Sequence, residues 1–168
     1  MIKSVRVVTI GVGYGNGQTT KKRYREMVRQ SLKEVAEYWH EHFLPRHFEE
    51  GASQRYGYQA RGKAYLRRKR ALAALGRIKK AAPLAFTGEM ERMMTRAAKI
   101  TYSSQRATVT MTGPSYLHSR GRKGTGPQMG EEIKTHTAAE RQTLARLAHD
   151  ALGRQLHADQ TLTIEQVA

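Results

Sequence analysis

The sequence predicts an α+β domain: a mainly antiparallel sheet of about four strands, with a long N-terminal helix and a C-terminal helix packed on one face. Three observations carry this. Apolar residues recur every three or four positions from about 20 to 44, short alternating runs lie at 2–10, 98–103 and 106–112, and a capping sequence opens a last helix at Thr137. Long basic loops complete the picture, and the whole of 1–168 reads as a single domain.

The elements follow in order. Residues 2–10 (IKSVRVVTI) are rich in β-branched side chains and read as a strand, broken by the glycines at 11, 13, 15 and 17. The long helix carries Met27, Val28, Leu32, Val35, Trp39 and Phe43 on one face, and Leu32, Val35, Trp39 and Phe43 are assigned to the core or a subunit interface. Pro45 disfavours helical geometry at Leu44 and is expected to stop it. An irregular, protruding loop is expected over 45–62. A basic helix follows from 62 to 80, anchored by Tyr65 and Leu66, and a short helix over 88–97 with Met90, Met93 and Met94. Residues 98–103 and 106–112 form a hairpin around Ser104-Gln105. A second protruding loop at 113–130 leads to a short strand near 131–135. Thr137-Ala138-Ala139-Glu140 is a capping box, opening a helix to about 157.

Charge is the dominant compositional fact. Thirty Lys and Arg against fourteen Asp and Glu give +16 and a pI near 10.5, with a mean hydropathy of −0.68. Residues 61–80 hold nine basic side chains and no acid, whereas the last 33 residues hold three basic and four acidic ones. Like charges this close repel, so the block needs an anionic neighbour or abundant water. No apolar run approaches the ~20 residues of a membrane helix. The N-terminal stretch also lacks the continuous apolar run of ~7–15 residues of a signal peptide, so a cytoplasmic product is expected. The absence of cysteine excludes disulfides, thiolate nucleophiles and Cys-based zinc sites.

Chemical motifs are sparse. A Gly-x-Gly-x-x-Gly phosphate loop would need glycine at 16, 18 or 20, where Asn16, Gln18 and Thr20 stand. His40 and His42 are two apart, so they leave a helix on different sides, and His47 lies beyond Pro45. Neither pair has the four-residue spacing of a helical metal site. No Gly-x-Ser-x-Gly elbow occurs. Glu49-Glu50 and Glu131-Glu132 are adjacent pairs near loops, and Glu37 and Glu41 share a face with Lys33. The sequence therefore predicts no catalytic, metal or cofactor-binding residues, and no enzyme. What remains is basic residues interleaved with rings: Arg55, Tyr56, Tyr58, Arg61, Lys63, Tyr65, Arg67, Arg68, Lys69 and Arg70. Arg120, Arg122 and Lys123 extend it in the second loop. Such a pattern can grip phosphates and stack bases, or meet a partner subunit or water. On a helix Arg67, Arg70 and Arg77 share a side while Arg68 and Lys69 diverge, which argues against a dedicated DNA grip.

Several of these residues also resemble a family. Trp39-x3-Phe43-Leu44-Pro45-x-His47-Phe48 is followed by Arg55-Tyr56-Gly57-Tyr58, Arg61, Tyr65-Leu66 and Lys69. Then come Pro83-Leu84-x-Phe86-Thr87-Gly88-x-Met90, Gly113-Pro114-x-Tyr116, Glu131-Glu132, and Thr137 with Glu140. Over 38–157 this is similar to tailed-phage tail-completion proteins, also called virion morphogenesis, minor tail or head–tail joining proteins. The resemblance implies a structural α+β subunit, with Phe86 in its core or interface and no catalytic residues. It implies a homo-oligomeric ring, often a hexamer, at the head-proximal end of the tail, meeting neck or connector and tail-tube proteins around the DNA channel. The product would be assembled in the host cytoplasm and reside in the virion. The density of charge over 61–80 and the glycine-rich first turn depart from the family's pattern. They leave terminator, stopper and accessory joint open. The rival expectation is a basic nucleic-acid-binding protein, a DNA-packaging accessory or ribosomal-like. A nuclease or toxin would need a metal-ligating cluster that the sequence does not display.

Overall fold

The computed structural model describes residues 21–78, 84, 88–96, 98–114, 117 and 129–165. The chain runs α1 (Lys21–Tyr38), α2 (Ala52–Tyr56), α3 (Lys63–Ala74), α4 (Glu89–Arg96), β1 (Ala98–Tyr102), β2 (Ala107–Met111), α5 (Met129–Glu132) and α6 (Ala138–Glu165). Among the described residues it is mostly helical, and its one sheet is the β1–β2 hairpin. The expected four-stranded sheet is overturned. The predicted strand at 2–10 lies outside the described residues. That at 131–135 is instead the end of α5, where the Ile133 and Lys134 N–H groups close helical turns onto the Met129 and Glu131 carbonyls (3.2 and 3.0 Å). Glu132 and Ile133, adjacent in sequence, are both buried, and no two-residue alternation can bury two neighbours.

α1 is the hub, packed against both hairpin strands and along α6. Its buried face is Met27, Ser31, Leu32, Val35 and Ala36. The helical path does not stop at Pro45. It widens into a π-helical turn at Trp39–Phe43, where the Leu44 N–H reaches the Trp39 carbonyl, and tightens into a 3₁₀ turn at Leu44–Phe48. Leu44 keeps helical angles (φ −55°, ψ −44°). Pro45 sits in the first turn of the 3₁₀ segment, where its missing N–H leaves no bond unmade. The irregular winding aims Trp39, Phe43, Leu44, His47 and Phe48 all inward, each at most 3% exposed.

Segment 45–62 is therefore no protruding loop. It supplies Phe48, Ala52, Tyr56 and Tyr58 to the main core, with Met90, Met94, Val109, Met111, Ile133 and Leu144. Gly57 closes α2 in the left-handed region (φ 64°), and the N–H groups of Gly57 and Tyr58 both return to the Ser53 carbonyl. Only glycine takes that φ without strain. The hairpin pairs Ala98 with Met111 and Tyr102 with Ala107, close to the predicted turn, and buries Ala107, Val109 and Met111 on alternate positions. α3 ends six residues before the predicted stop, because Gly76 (φ 66°) turns the chain and Arg77 N–H caps the Leu72 carbonyl at 2.9 Å. The capping box is present as read: Glu140 N–H donates to Thr137 Oγ1 (3.1 Å) and Thr137 N–H to Glu140 Oε2 (2.9 Å). α6 continues to Glu165, past the expected end.

Candidate functional site

Two features stand next to each other on the face built from 47–69: a buried polar clamp and an open cleft. The clamp starts from a stack of rings. His47 lies flat on Tyr56 (centroids 3.9 Å apart, planes 9° apart), and Tyr56 and Tyr58 stack at 5.7 Å. The glycine turn at 57 brings these two tyrosines to the same side. Tyr56 O–H donates to Glu140 Oε1 at 2.6 Å, so one carboxylate both caps α6 and holds α2. Tyr58 shares a hydrogen bond with His47 Nδ1. Beside them, the Arg61 guanidinium meets both oxygens of Glu132 (2.8 Å from Nη1 to Oε1), and Gln59 N–H donates to the same carboxylate at 3.2 Å.

Burial sets the protonation of this group. Desolvation, then the charges of His136 and Arg55, push His47 down to about 3, so it is neutral at physiological pH. Burial likewise raises both phenols: Tyr56 further through its bond to Glu140, Tyr58 through the neighbouring Tyr56 and Glu132. They stay protonated and serve as donors, not nucleophiles. The clamp therefore joins three parts of the chain: the 47–61 segment, α5 and the start of α6. Nε2 of His47 and of His136 find no partner among the described residues, and the His136 ring lies 5.6 Å from Trp39. The other nearby histidines go elsewhere, His40 to the Met94 carbonyl (2.9 Å) and His42 onto the Tyr38 ring (4.3 Å).

The cleft, of about 620 Å³, lies between α2 and α3 and is lined by Gly51, Ser53, Tyr58, Arg61, Tyr65 and Lys69, among others. Lys69 is 2% exposed and is the sole buried residue of α3. Desolvation, and then the charge of Arg61, push its ammonium down to about 8.

The predicted contact residues thus part company. Arg61 is in the clamp and Lys69 in the cleft, while Arg55 pairs with Glu49 at 2.9 Å on the surface. Lys63, Arg67, Arg68 and Arg70 are exposed along α3. Leu32, Val35, Trp39 and Phe43 are buried as expected, but Tyr65 (39% exposed) and Leu66 (38%) are not core. Their helix packs inward through Lys69 instead, and both line the same cleft as Lys69 while staying half open. Phe86, Arg120, Arg122 and Lys123 lie outside the described residues.

Sequence reasoning missed the roles of His47, Glu132 and Glu140 as clamp partners, since the joined residues stand 11 to 84 positions apart. It also missed a second basic surface. Lys21, Arg25, Arg29 and Lys33 recur at four-residue steps along about 18 Å of α1. Arg29 and Lys33 sit over the Tyr102 ring, at 4.9 and 5.9 Å. Lys21, Arg25 and Arg29, with Lys22, Glu26 and the hairpin end at Tyr102-Ser103-Ser104, border an open groove of about 580 Å³, and Arg29 pairs with Glu26 at 3.2 Å. The four-residue period of the cations was the available signal.

Compared with protein-family models, with characterised proteins and with solved structures, the chain finds no match. Among the described residues no group of three or more His, Asp or Glu side chains could hold a metal ion, and no helix is long and apolar enough to cross a membrane.

Proposed function

We propose that the chain is a structural subunit of the tailed-phage head–tail joint. It would complete the tail as a homo-oligomeric ring, meet neck and tail-tube proteins, and reside in the virion after assembly in the host cytoplasm. The observation that carries this reading is α3. A 12-residue helix that buries one lysine, and shows Tyr65, Leu66 and the following Leu75 (67% exposed) at its surface, gains little from its own chain. Helices of ~12–15 residues are marginal in water without tertiary packing. Apolar side chains left open in this way are what a subunit interface covers. A second support is that residues which carry the resemblance to tail-completion proteins (Tyr56, Tyr58, Arg61, Glu132, Thr137 and Glu140) meet in one clamp. A fold-specific clamp gives such residues a reason to occur together without any catalytic role.

The test replaces Arg67→Glu together with Arg70→Glu, both exposed. Completed tails should form but fail to join heads, counted by electron microscopy, and the purified wild-type chain should show a multimeric mass in the presence of tails. Virions that assemble normally with the double variant would refute the reading.

The α1 ladder favours a second reading, sequence-independent nucleic-acid binding, because cations at regular steps beside a tyrosine suit a phosphate backbone, the exposed Lys21, Lys22 and Arg25 above all, since Arg29 and Lys33 also pair with Glu26 and Glu37. That reading expects affinity to fall with salt at a log–log slope of about −0.9 per contacted phosphate. It also expects Lys22→Glu with Arg25→Glu to abolish binding. Retention of binding in that pair excludes α1 as the DNA face.

A further inference from the structure

We infer that the exposed side of α3 docks on an acidic surface of a different protein, with Lys63, Arg67 and Arg70 on carboxylates and the flanking Leu66 and Leu75 on apolar side chains. The inference deepens the assembly reading above and rests on it for the setting of the contact, though not for the chemistry of the helix.

Three observations lead to that partner. First, the cations are aligned. Lys63, Arg67 and Arg70 stand at i, i+4 and i+7 on one stripe about 10 Å long, and all three are exposed. Ala74 continues the stripe with a short side chain, so a partner can approach the helix closely there. Second, these cations have no acids of their own. Elsewhere on the surface Arg29, Lys33, Arg55, Lys134 and Arg154 each pair with a glutamate of the chain. Residues 61–80 contain no acid, and among the described residues Lys63, Arg67 and Arg70 form no ion pair. A second copy is a poor source of carboxylates. It too carries +16, and its Glu26, Glu34, Glu37, Glu49, Glu131 and Glu132 are engaged by its own cations. Third, the open leucines stand on the same element. Leu66, at the edge of the cleft and one turn from Arg70, is 38% exposed, and Leu75, at the end of α3, is 67% exposed. No other large aliphatic side chain is as open among the described residues. A phosphate backbone offers charge but nothing to cover a leucine, whereas protein interfaces bury arginine and apolar side chains together.

The probe is fluorescein-labelled Glu-Leu-Leu-Glu-Glu-Leu-Leu-Glu-amide, titrated with the full chain at ~0.15 M salt and followed by anisotropy. The same peptide with every Glu replaced by Gln is the control. We expect the acidic peptide to bind and the control not to bind. Arg67→Glu with Arg70→Glu should weaken binding at least ~tenfold, and Leu66→Ser several-fold. Lys22→Glu with Arg25→Glu removes the same net charge from α1 and should leave the affinity almost unchanged. Circular dichroism checks that each variant folds, and Arg67→Gln with Arg70→Gln serves if charge reversal unfolds the chain. Absence of binding, an equal loss in the α1 pair, or full affinity in Leu66→Ser would each overturn the inference. So would tighter binding of a thymidine oligonucleotide that the α3 pair abolishes, or self-association of the chain, measured by sedimentation, that the α3 pair abolishes. The two proposals fail separately. Joining that depends on Arg67 and Arg70, with no peptide binding at α3, refutes only the acidic partner. Peptide binding at α3, with joining indifferent to both arginines, refutes only the assembly reading.

Discussion

Replacing Arg61 by methionine isolates the clamp from everything else in the fold. The side chains of Arg61 and Glu132 are each 10% exposed, and the carboxylate accepts from both guanidinium ends and from Gln59 N–H. Methionine keeps the unbranched bulk but leaves Glu132 charged and nearly dry. Removing one partner of a buried pair costs ~3–5 kcal/mol, chiefly because the other charge is stranded. The Gln59 N–H still meets the carboxylate and some exposure remains, so the low end applies, about 3 kcal/mol. For a chain of this size that lowers Tm by roughly 6–12 °C. The assay is urea unfolding at pH 7 of Arg61→Met, Glu132→Met and the double variant. The double variant should recover much of the loss, since two apolar side chains of similar volume strand no charge. A loss below ~1 kcal/mol in Arg61→Met, or additive losses in the double variant, would show that the two groups do not act as a pair and would refute the clamp.

Acid should weaken the fold through His47. Its folded value, about 3, lies below the unfolded 6.5, so between those limits the unfolded chain binds more protons and stability falls as pH falls. From pH 7 to pH 5 this one group costs ~2 kcal/mol, and His47→Phe, itself destabilising, should flatten that part of the pH profile of the urea midpoint. Gly57→Ala should cost ~1 kcal/mol, because φ is 64° there although a Cβ meets no atom within 4 Å. Equal thermal unfolding of that variant and the parent would refute the need for glycine. Trp39→Ala should cost ~3–5 kcal/mol, the side chain being 0% exposed, and an unchanged Tm would contradict the core described for α1 and its π-helical turn.

The legible parts of the fold were those whose signal is local. The buried face of α1, the hairpin, α4 and the Thr137–Glu140 box could each be read within a window of ten or so residues. Residues 45–62 misled because proline, glycines and arginines look like loop. Yet burial there follows from winding changes at Trp39–Phe48 that no single period describes. At 131–135 the expected short strand is a helix end, and the deciding fact was Arg61, 71 residues from Glu132, which makes a buried Glu132 tolerable. The basic block was read as one unit because charge counts ignore direction. The spacing already set Arg68 and Lys69 apart from Arg67 and Arg70, but nothing in the sequence says which side faces inward, and in the structure Lys69 alone of the four is buried.

The clamp and α3 are mechanically one device. Arg61 stands two residues before α3 begins, and its guanidinium also donates to the Gln59 carbonyl at 3.1 Å, bracing the extended stretch between α2 and α3. The direction in which α3 leaves the body is thus set where Glu132 and Glu140 hold residues 56–61, not by packing along the helix itself. A helix fixed at its base and weakly packed along its length can present one face to a neighbouring subunit and adjust to it, because little intrachain contact is lost when it shifts. The polar composition of the clamp serves that arrangement. An apolar joint would tolerate several register positions, whereas two carboxylates matched to one guanidinium and one phenol accept a single one. If the chain has the assembly role proposed above, loosening the base through Arg61→Met should impair head–tail joining more than its stability loss alone explains. A cavity variant remote from the clamp with an equal stability loss, such as Met111→Ala, is the control that separates the two effects.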